Sequence, residues 1–413
     1  MNLRISSVLL LPILSLLTSS AHAAPHPSLT SNSTFTQAFS NTDVPYDSLN
    51  VHPALNVTQS IPYVGILQKY IASKGQGEEH CPTLSTRAEW RTLTDEQRQK
   101  WIDATWCLTT RPSMLAGTET NLDGRHTSLL DDFTLLHVRL FYRIHYVASF
   151  LPWHRWMVHA RHIAMQDCDF DGPFPYWDWA ADADTGNVQD SPMLSNDFGV
   201  GGNGSFPNGT VTSGPFAYLP VSYLSDLQNQ SVPSYNPHYL QRTFGVIDAQ
   251  TSTYPMFEEG YNSSSVRRVL TTGGSNFSAF STLFEGLFRR RDVVGAGPHG
   301  AVHQAIGGEM VNANSPNDPI FFLHHVNVDR LWWFWQNGDT TGRGLPSRSV
   351  NTADLNSRFW AFSGNTVQFQ FDPTGGPEAS LFDVQTLQGL VLPNIETYKL
   401  MDITRPPLCY KYV

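Results

Sequence analysis

Apolar and polar positions change their period several times along this chain, and each change marks an element. After Met1-Asn2-Leu3-Arg4, an apolar run from Ile5 to Leu17, broken by Pro12 and serines, leads to Ala21-His22-Ala23. A basic start, a short apolar centre and a small-residue site make a secretory signal peptide over residues 1–23, cleaved near Ala23 or Ala24. The run is too short and too interrupted to span a bilayer. Residues 24–60 are rich in Ser, Thr, Asn and Pro without periodicity and are expected to form an extended N-terminal segment. Helical spacing then begins at Val64 to Ser73. Thr94, followed by Asp95-Glu96, caps a second helix that runs towards Cys107. From Leu129 to Met165 the pattern is helical but interrupted before Phe150-Leu151-Pro152. The residue before a proline disfavours the α conformation while proline suits a first turn, so a new helix is expected at about Trp153. Residues 180–260 carry Gly202, Gly204, Pro207, Gly209, Gly214 and Pro215 without a period, and are expected to be loops and short elements. Helical patterning returns at Phe277 to Arg290, His299 to Ile306 and His325 to Gln336, and Thr366 to Phe371 alternates as a strand does. No internal repeat is present. The sum is a mainly α fold with long loops and a few short strands.

Composition narrows the partners. A net charge of −10, with charged residues at 15%, argues against nucleic acid or an anionic membrane surface. No later stretch is long and apolar enough to cross a bilayer, so the mature chain is expected to be soluble and extracellular. The 30 glycines and 27 prolines suit long neutral loops. Asn32, Asn56, Asn203, Asn208, Asn229, Asn262 and Asn276 lie in glycosylation sequons, and five of them fall between Asn203 and Asn276, marking that region as exposed. Cys81, Cys107, Cys168 and Cys409 make an even set, which in an oxidising compartment implies two disulfides with three possible pairings.

The 15 histidines matter through their placement. His299 and His303 stand four apart on a helix and point to one side, and His325 follows Ser315-Pro316-Asn317-Asp318-Pro319. His137 lies on one helix, His145 just after it, and His154 on the next, so two antiparallel helices and their connection can gather all three. Both clusters offer three neutral nitrogens without a cysteine or a ligand-spaced carboxylate. That donor set suits copper, or zinc with one open position.

Three segments carry a resemblance. Phe150-Leu151-Pro152-Trp153-His154-Arg155, then Pro175-Tyr176-Trp177-Asp178-Trp179, then Ser315-Pro316-Asn317-Asp318-Pro319 leading to His324-His325, are similar in order and spacing to the tyrosinase and catechol oxidase family. These type-3 copper proteins also include the hemocyanins. The resemblance runs from about Pro82 to Val413 and makes residues 61–413 the copper catalytic domain, a four-helix bundle around a dinuclear site. It implies two copper ions, the first held by His137, His145 and His154, the second by His299, His303 and His325. His324 matches a neighbouring histidine that packs or supports, and His159 and His162, on the helix of His154, are expected to be structural because three nitrogens per copper leave room for O2. Asp329, one turn after His325, either orients a ligand imidazole or pairs on the surface with a base. Trp332, Trp333 and Trp335 are expected to be packing.

The implied reaction is oxidation of o-diphenols to o-quinones by O2. In relatives that hydroxylate monophenols, an asparagine after the first ligand of the second copper helps a glutamate hold a basic water. Glu285 matches the glutamate, but Gly300 stands where the asparagine would be, so diphenol oxidation is expected to exceed monophenol hydroxylation. Arg143 replaces the cysteine that many fungal relatives use for a thioether crosslink, and His162 stands where a glutamate is usual. The terminal Tyr410-Lys411-Tyr412 resembles the motif that closes the catalytic domain, so activity without removal of a shielding domain is expected. Gly300, Ala301 and Ala313 are small residues near the second copper and suggest an open path for a small phenolic substrate. Other readings are an o-aminophenol or secondary-metabolite oxidase, an O2 carrier of the hemocyanin kind, and more distantly a zinc hydrolase.

Overall fold

The computed structural model describes residues 61–73, 80–115, 127–245, 256–286, 297–344, 346 and 350–413. The signal-peptide and lead-in readings and the sequons at Asn32 and Asn56 lie outside the described residues. Ten α-helices occur among the described residues: α1 (Ile61–Ala72), α2 (Asp95–Thr110), α3 (Leu129–Ile144), α4 (Phe150–Gln166), α5 (Trp179–Ala183), α6 (Glu258–Tyr261), α7 (Ser263–Thr272), α8 (Phe277–Glu285), α9 (Gly297–Ile306) and α10 (Ile320–Gln336). The strands are short: β1 (Ser85–Glu89), β2 (Phe174–Tyr176), β3 (Pro220–Ser225), β4 (Pro233–Tyr239), β5 (Val384–Gln385), β6 (Ile395–Glu396) and β7 (Tyr410–Tyr412). The mainly α expectation holds.

Local chemistry sets the helix starts. Thr94 and Gln97 form a capping box before α2, and Ser128 and Asp131 form one before α3, each satisfying two otherwise free backbone N–H groups. α4 begins at Phe150, three residues before the sequence suggested. Pro152 then falls in the first turn, where its missing N–H breaks no helical bond. α10 begins at Ile320, five residues before His325, because the Asp318 carboxylate accepts from Ile320 N at 2.9 Å. That carboxylate is held in turn by a buried two-point pairing with Arg242 at 2.7 and 2.9 Å. α8 ends at Glu285 because Gly286 turns the chain at φ 107°, and residues 287–290 of the expected helix lie outside the described residues.

α3, α4, α9 and α10 frame the core. α4 packs against α3 and α10, and α9 against α10. Trp153 and Trp156 from α4 and Trp332 and Trp335 from α10 are all at most 1% exposed, which makes them bulk packing, as expected for Trp332 and Trp335. Trp333 is only half-buried and lies against Tyr412, ring centroids 5.4 Å apart.

A parallel sheet, β2-β1-β7, closes one side of this frame, with Arg87 in register with Phe174 and Tyr412. The disulfide Cys81–Cys409 fixes the chain end beside β1, and Cys107–Cys168 joins α2 to the end of α4. Asp329 is neither exposed nor bonded to an imidazole, contrary to both readings of it. Its buried carboxylate accepts from Arg87 Nη1 at 2.7 Å, from Arg155 Nε, from Tyr410 Oη at 2.5 Å and from Tyr412 Oη. One acid therefore ties α10 to α4, β1 and β7.

One sequence expectation is sharpened and one fails. The region 180–260 contains the antiparallel hairpin β3–β4, which packs on α3. Pro233 and Pro237 hide β4 from a period-2 reading. Conversely, Thr366 to Phe371 is a turn region, where Thr366 N and Val367 N both donate to Gly375 O. Its alternation runs the wrong way for a buried strand: Gln368 is inside, at 4% exposure, and Phe371 is outside, at 58%.

Candidate metal centre

His137 sits mid-way along α3, His145 is the residue that ends it, and His154 lies one turn into α4. Tyr146, at φ 55°, reverses the chain between the two helices. The segment is fastened from outside, since Gln368 Nε2 donates to His145 O at 2.8 Å and Asn365 Nδ2 to Tyr146 O at 2.9 Å. On the other side, α9 supplies His299 and His303 and α10 supplies His325.

The imidazoles are oriented by backbone carbonyls. Nδ1 of His137 faces Ala313 O at 2.6 Å, that of His145 faces Phe141 O at 3.1 Å, and that of His154 faces Phe150 O at 2.7 Å. In the second group Nδ1 of His303 faces Met310 O at 2.6 Å, and that of His299 makes a longer contact of 3.4 Å with Glu285 O. A carbonyl only accepts, so each Nδ1 carries the hydrogen and each Nε2 presents a lone pair. Nε2 of His154 and of His137 stand 3.4 Å apart, two acceptors face to face. Nε2 of His299, His303 and His325 is buried without a partner. Lone pairs directed at one another in a buried space are stable when a cation lies between them, and a carbonyl accepting from Nδ1 is the usual support for Nε2 ligation. The residues fit a metal.

The donor atoms of His137, His145 and His154 all lie within 4.8 Å of one another, and those of His299, His303, His324 and His325 do likewise. The two groups meet where the rings of His154 and His325 stack, centroids 4.3 Å apart and 10° from parallel. Phe321 wedges between them, 5.2 Å from His137 and 4.2 Å from His325. The sequence separated His324 from the ligands, whereas the structure brings it into the second group, buried, with both ring nitrogens unpartnered. Its adjacency to His325 was the only available signal.

Burial keeps all these imidazoles neutral. It pushes His137 down to about 3 and His303 down to about 4. His145, His154, His299, His324 and His325 are held well below the ordinary histidine range, first by burial and then by neighbouring imidazoles.

Glu285 ends α8 at the seam of the two groups. Its Oε2 accepts from Tyr146 N at 2.8 Å, its backbone oxygen faces His299, and Oε1 is buried without a partner. Burial pushes this carboxyl well above the usual carboxylate range. Gly300 follows His299 on α9, half-buried. Ala301 and Ala313 are both 0% exposed, so they are packing residues and line no open path. His159 and His162 stand apart from both groups. His159 stacks on Trp156 at 5.5 Å and His162 on Phe174 at 4.6 Å.

Comparison with known proteins agrees with this architecture. The family described as the common central domain of tyrosinase matches residues 118–338. A tyrosinase-like protein of Diaporthe leptostromiformis, phomQ1', is 34% identical over 345 residues, which cover 81% of each chain. The N-acetyl-6-hydroxytryptophan oxidase ivoB of Emericella nidulans is 30% identical over 371 residues, covering 81% of this chain and 93% of the relative. Among solved structures, a glycine-to-asparagine variant of the polyphenol oxidase of Thermothelomyces thermophila superposes with a TM-score of 0.63 at 27% identity, covering 88% of this chain and 99% of its own.

Proposed function

The chain belongs to the tyrosinase family of copper oxidoreductases, and from that premise we propose that it is a secreted oxidase that converts o-diphenols to o-quinones with O2. The observation that carries this reading is the meeting of two buried imidazole groups at the His154–His325 stack, with Nε2 of His137 and His154 face to face at 3.4 Å on one side and Nε2 of His299, His303 and His325 buried without a partner on the other. His137, His145 and His154 hold one copper and His299, His303 and His325 the other, with His324 packed beside the second set. Copper held by these residues would supply the electron transfer between diphenol and O2, with the overall balance that two diphenols and one O2 give two quinones and two waters.

The protein's own part is placement. Carbonyl-fixed rings hold the nitrogens, and the packed wall of Phe321, Trp153 and Phe150 keeps water away from them. Glu285, joined by backbone and side chain to the segments of His299 and His145, is the buried carboxyl available to accept a substrate hydroxyl proton when ionised. Gly300 adds no amide beside it, which favours diphenols over monophenols. Residues 1–23 act as a signal peptide, residues 24–60 as a lead-in, and residues 61–413 as one catalytic domain. The two disulfides fit an oxidising compartment, and among the described residues no helix is long and apolar enough to cross a membrane.

Metal analysis and O2 uptake across catechols, monophenols and o-aminophenols test the proposal. Two coppers per chain and uptake fastest on catechols are expected. One copper or none, or reversible oxygenation with no catechol turnover, overturns it. A second reading, oxidation of hydroxylated indoles or o-aminophenols, is favoured by the similarity to the N-acetyl-6-hydroxytryptophan oxidase. Uptake on those substrates exceeding uptake on catechols would select it.

A further inference from the structure

One short segment reaches both imidazole groups. Between α9 and α10, residues 307–314 send Met310 O to Nδ1 of His303 and Ala313 O to Nδ1 of His137, each at 2.6 Å. His145 and His154 differ, since their Nδ1 atoms face carbonyls four residues back in their own helical segments. The segment 307–314 is thus the element whose position is felt by one ring in each group.

Its own position is set by a buried acid. Glu309 is 3% exposed. Its Oε2 accepts from Asn314 Nδ2 at 2.5 Å and from Asn317 Nδ2 at 3.0 Å, closing the turn on itself. Its Oε1 lies 2.8 Å from Nε2 of His238 on β4, whose Nδ1 faces Asn236 O at 2.6 Å. A carbonyl on one ring nitrogen and a carboxylate on the other make His238 a donor at both, an imidazolium paired with Glu309. The backbone is seated as firmly. Glu309 N donates to Gln241 O at 3.0 Å, and a Cβ on Gly307 or Gly308 would lie 2.0 Å from Thr243 O or 2.3 Å from Gln241 O. The far end is held separately, where Ala313 N donates to Gln230 Oε1 at 2.8 Å.

We propose that Glu309, gripped by His238 of the β3–β4 hairpin, is a positioning residue for both metal sites at once, acting through the carbonyls of Met310 and Ala313 on His303 and His137. The proposal rests on the reading of the two imidazole groups as copper sites. Glu309 touches no metal-binding nitrogen itself. Its removal takes the side-chain anchors out of the turn and leaves only the backbone contacts, so the carbonyls of Met310 and Ala313 shift and the two rings lose their fixed direction while the other ligands keep theirs.

The test uses metal-free protein carrying 15N-histidine, read by the imidazole nitrogen resonances. Glu309→Ala is expected to shift His137 and His303 and to leave His145 and His154 in place. Gln230→Ala, which loosens only the Ala313 end, is expected to shift His137 alone and serves where Glu309→Ala does not fold. Copper-loaded Glu309→Ala should release metal to a chelator about 10- to 100-fold faster from both sites, whereas Ile102→Ala, a core truncation on α2, which carries no ligand, should release it at the wild-type rate. Unmoved His137 and His303 signals, all four signals moving together, or unchanged release overturns the proposal. Wild-type protein that binds fewer than two coppers overturns the functional reading instead, so the two failures are distinguishable.

Discussion

Asp329→Asn isolates the largest buried charge network in the described chain. The wild-type carboxylate faces two guanidinium groups and two phenol hydroxyls, and Arg87 and Asp329 are side by side with essentially no exposure. Asparagine keeps the size but removes the charge, leaving Arg87 and Arg155 buried without their counter-ion. Breaking one partner of a buried pair costs about 3–5 kcal/mol. An unfolding entropy of about 2.1 cal/mol/K per residue over roughly 350 residues gives about 0.7 kcal/mol/K, so the midpoint should fall by roughly 4–7 °C. The sign with pH follows from the shift. The two guanidiniums hold the Asp329 carboxyl below its ordinary value against the opposing effect of burial. Its stabilisation is therefore complete above the unfolded carboxylate pKa, near 3.9, and is lost as pH falls through the lower folded value. Calorimetry at pH 7 and again below pH 4 should show the gap between wild type and Asp329→Asn narrowing in acid. Because Asp329 bonds to no imidazole, the drop at pH 7 should be the same with and without copper. A midpoint change under about 1 °C at pH 7, or a drop confined to the copper-loaded protein, refutes the reasoning.

Three further outcomes are expected. Gly300→Asn should raise the ratio of monophenol to diphenol initial rates by about tenfold, near 1.4 kcal/mol in barrier, and a wild type that hydroxylates a monophenol without a lag removes the basis for the catechol preference. His162, pushed down to about 3 by burial and Arg87, costs the folded state nothing above the unfolded histidine pKa of about 6.5 and destabilises it as pH falls below that value. His162→Phe should therefore leave the pH 7 midpoint of the metal-free protein nearly unchanged and recover about 2–3 kcal/mol at pH 4.5, read by denaturant unfolding at both pH values. Replacing Cys81 and Cys409 by serine opens a closure spanning 328 residues and should cost about 5 kcal/mol at pH 7, measurable as a lower denaturant midpoint, whereas an unchanged midpoint would show that the pairing with β1 and the Asp329 network hold β7 without it.

How much of this was legible in the sequence depends on whether a feature is written in one stretch of chain. The helices that carry the clustered histidines were, because His299 and His303 share a helix face and His137, His145 and His154 bracket one connection. Capping at Thr94 was local and held. The start of α10 was misplaced because its determinant, Asp318 braced by Arg242, joins residues 76 apart. Asp329 was misread for the same reason, since Arg87 lies 242 positions away and Tyr412 lies 83 away. The pairing of β3 with β4 is not legible because prolines mask the period of β4, and the turn at Thr366 to Phe371 reads as a strand because alternation alone does not say which face is inside.

The orientation of the imidazoles was invisible for a deeper reason. Side-chain identity determines that a nitrogen is present, but which nitrogen turns inward is fixed at five of the six proposed ligands by a peptide carbonyl. Every residue has a carbonyl, so Met310 and Ala313 do their work through atoms that no residue type encodes. What the sequence does encode is the means of holding those carbonyls still: two glycines that let the turn lie flat on residues 241–243, an acid inside it, and a hairpin histidine and glutamine outside it. It follows that substitutions at Met310 or Ala313 that preserve size should be tolerated, while Glu309, Gly307 and Gly308, which touch no metal-binding nitrogen, should not. The residues that matter most for the geometry of such a centre are therefore expected one layer behind the carbonyls, where tautomer and direction are decided.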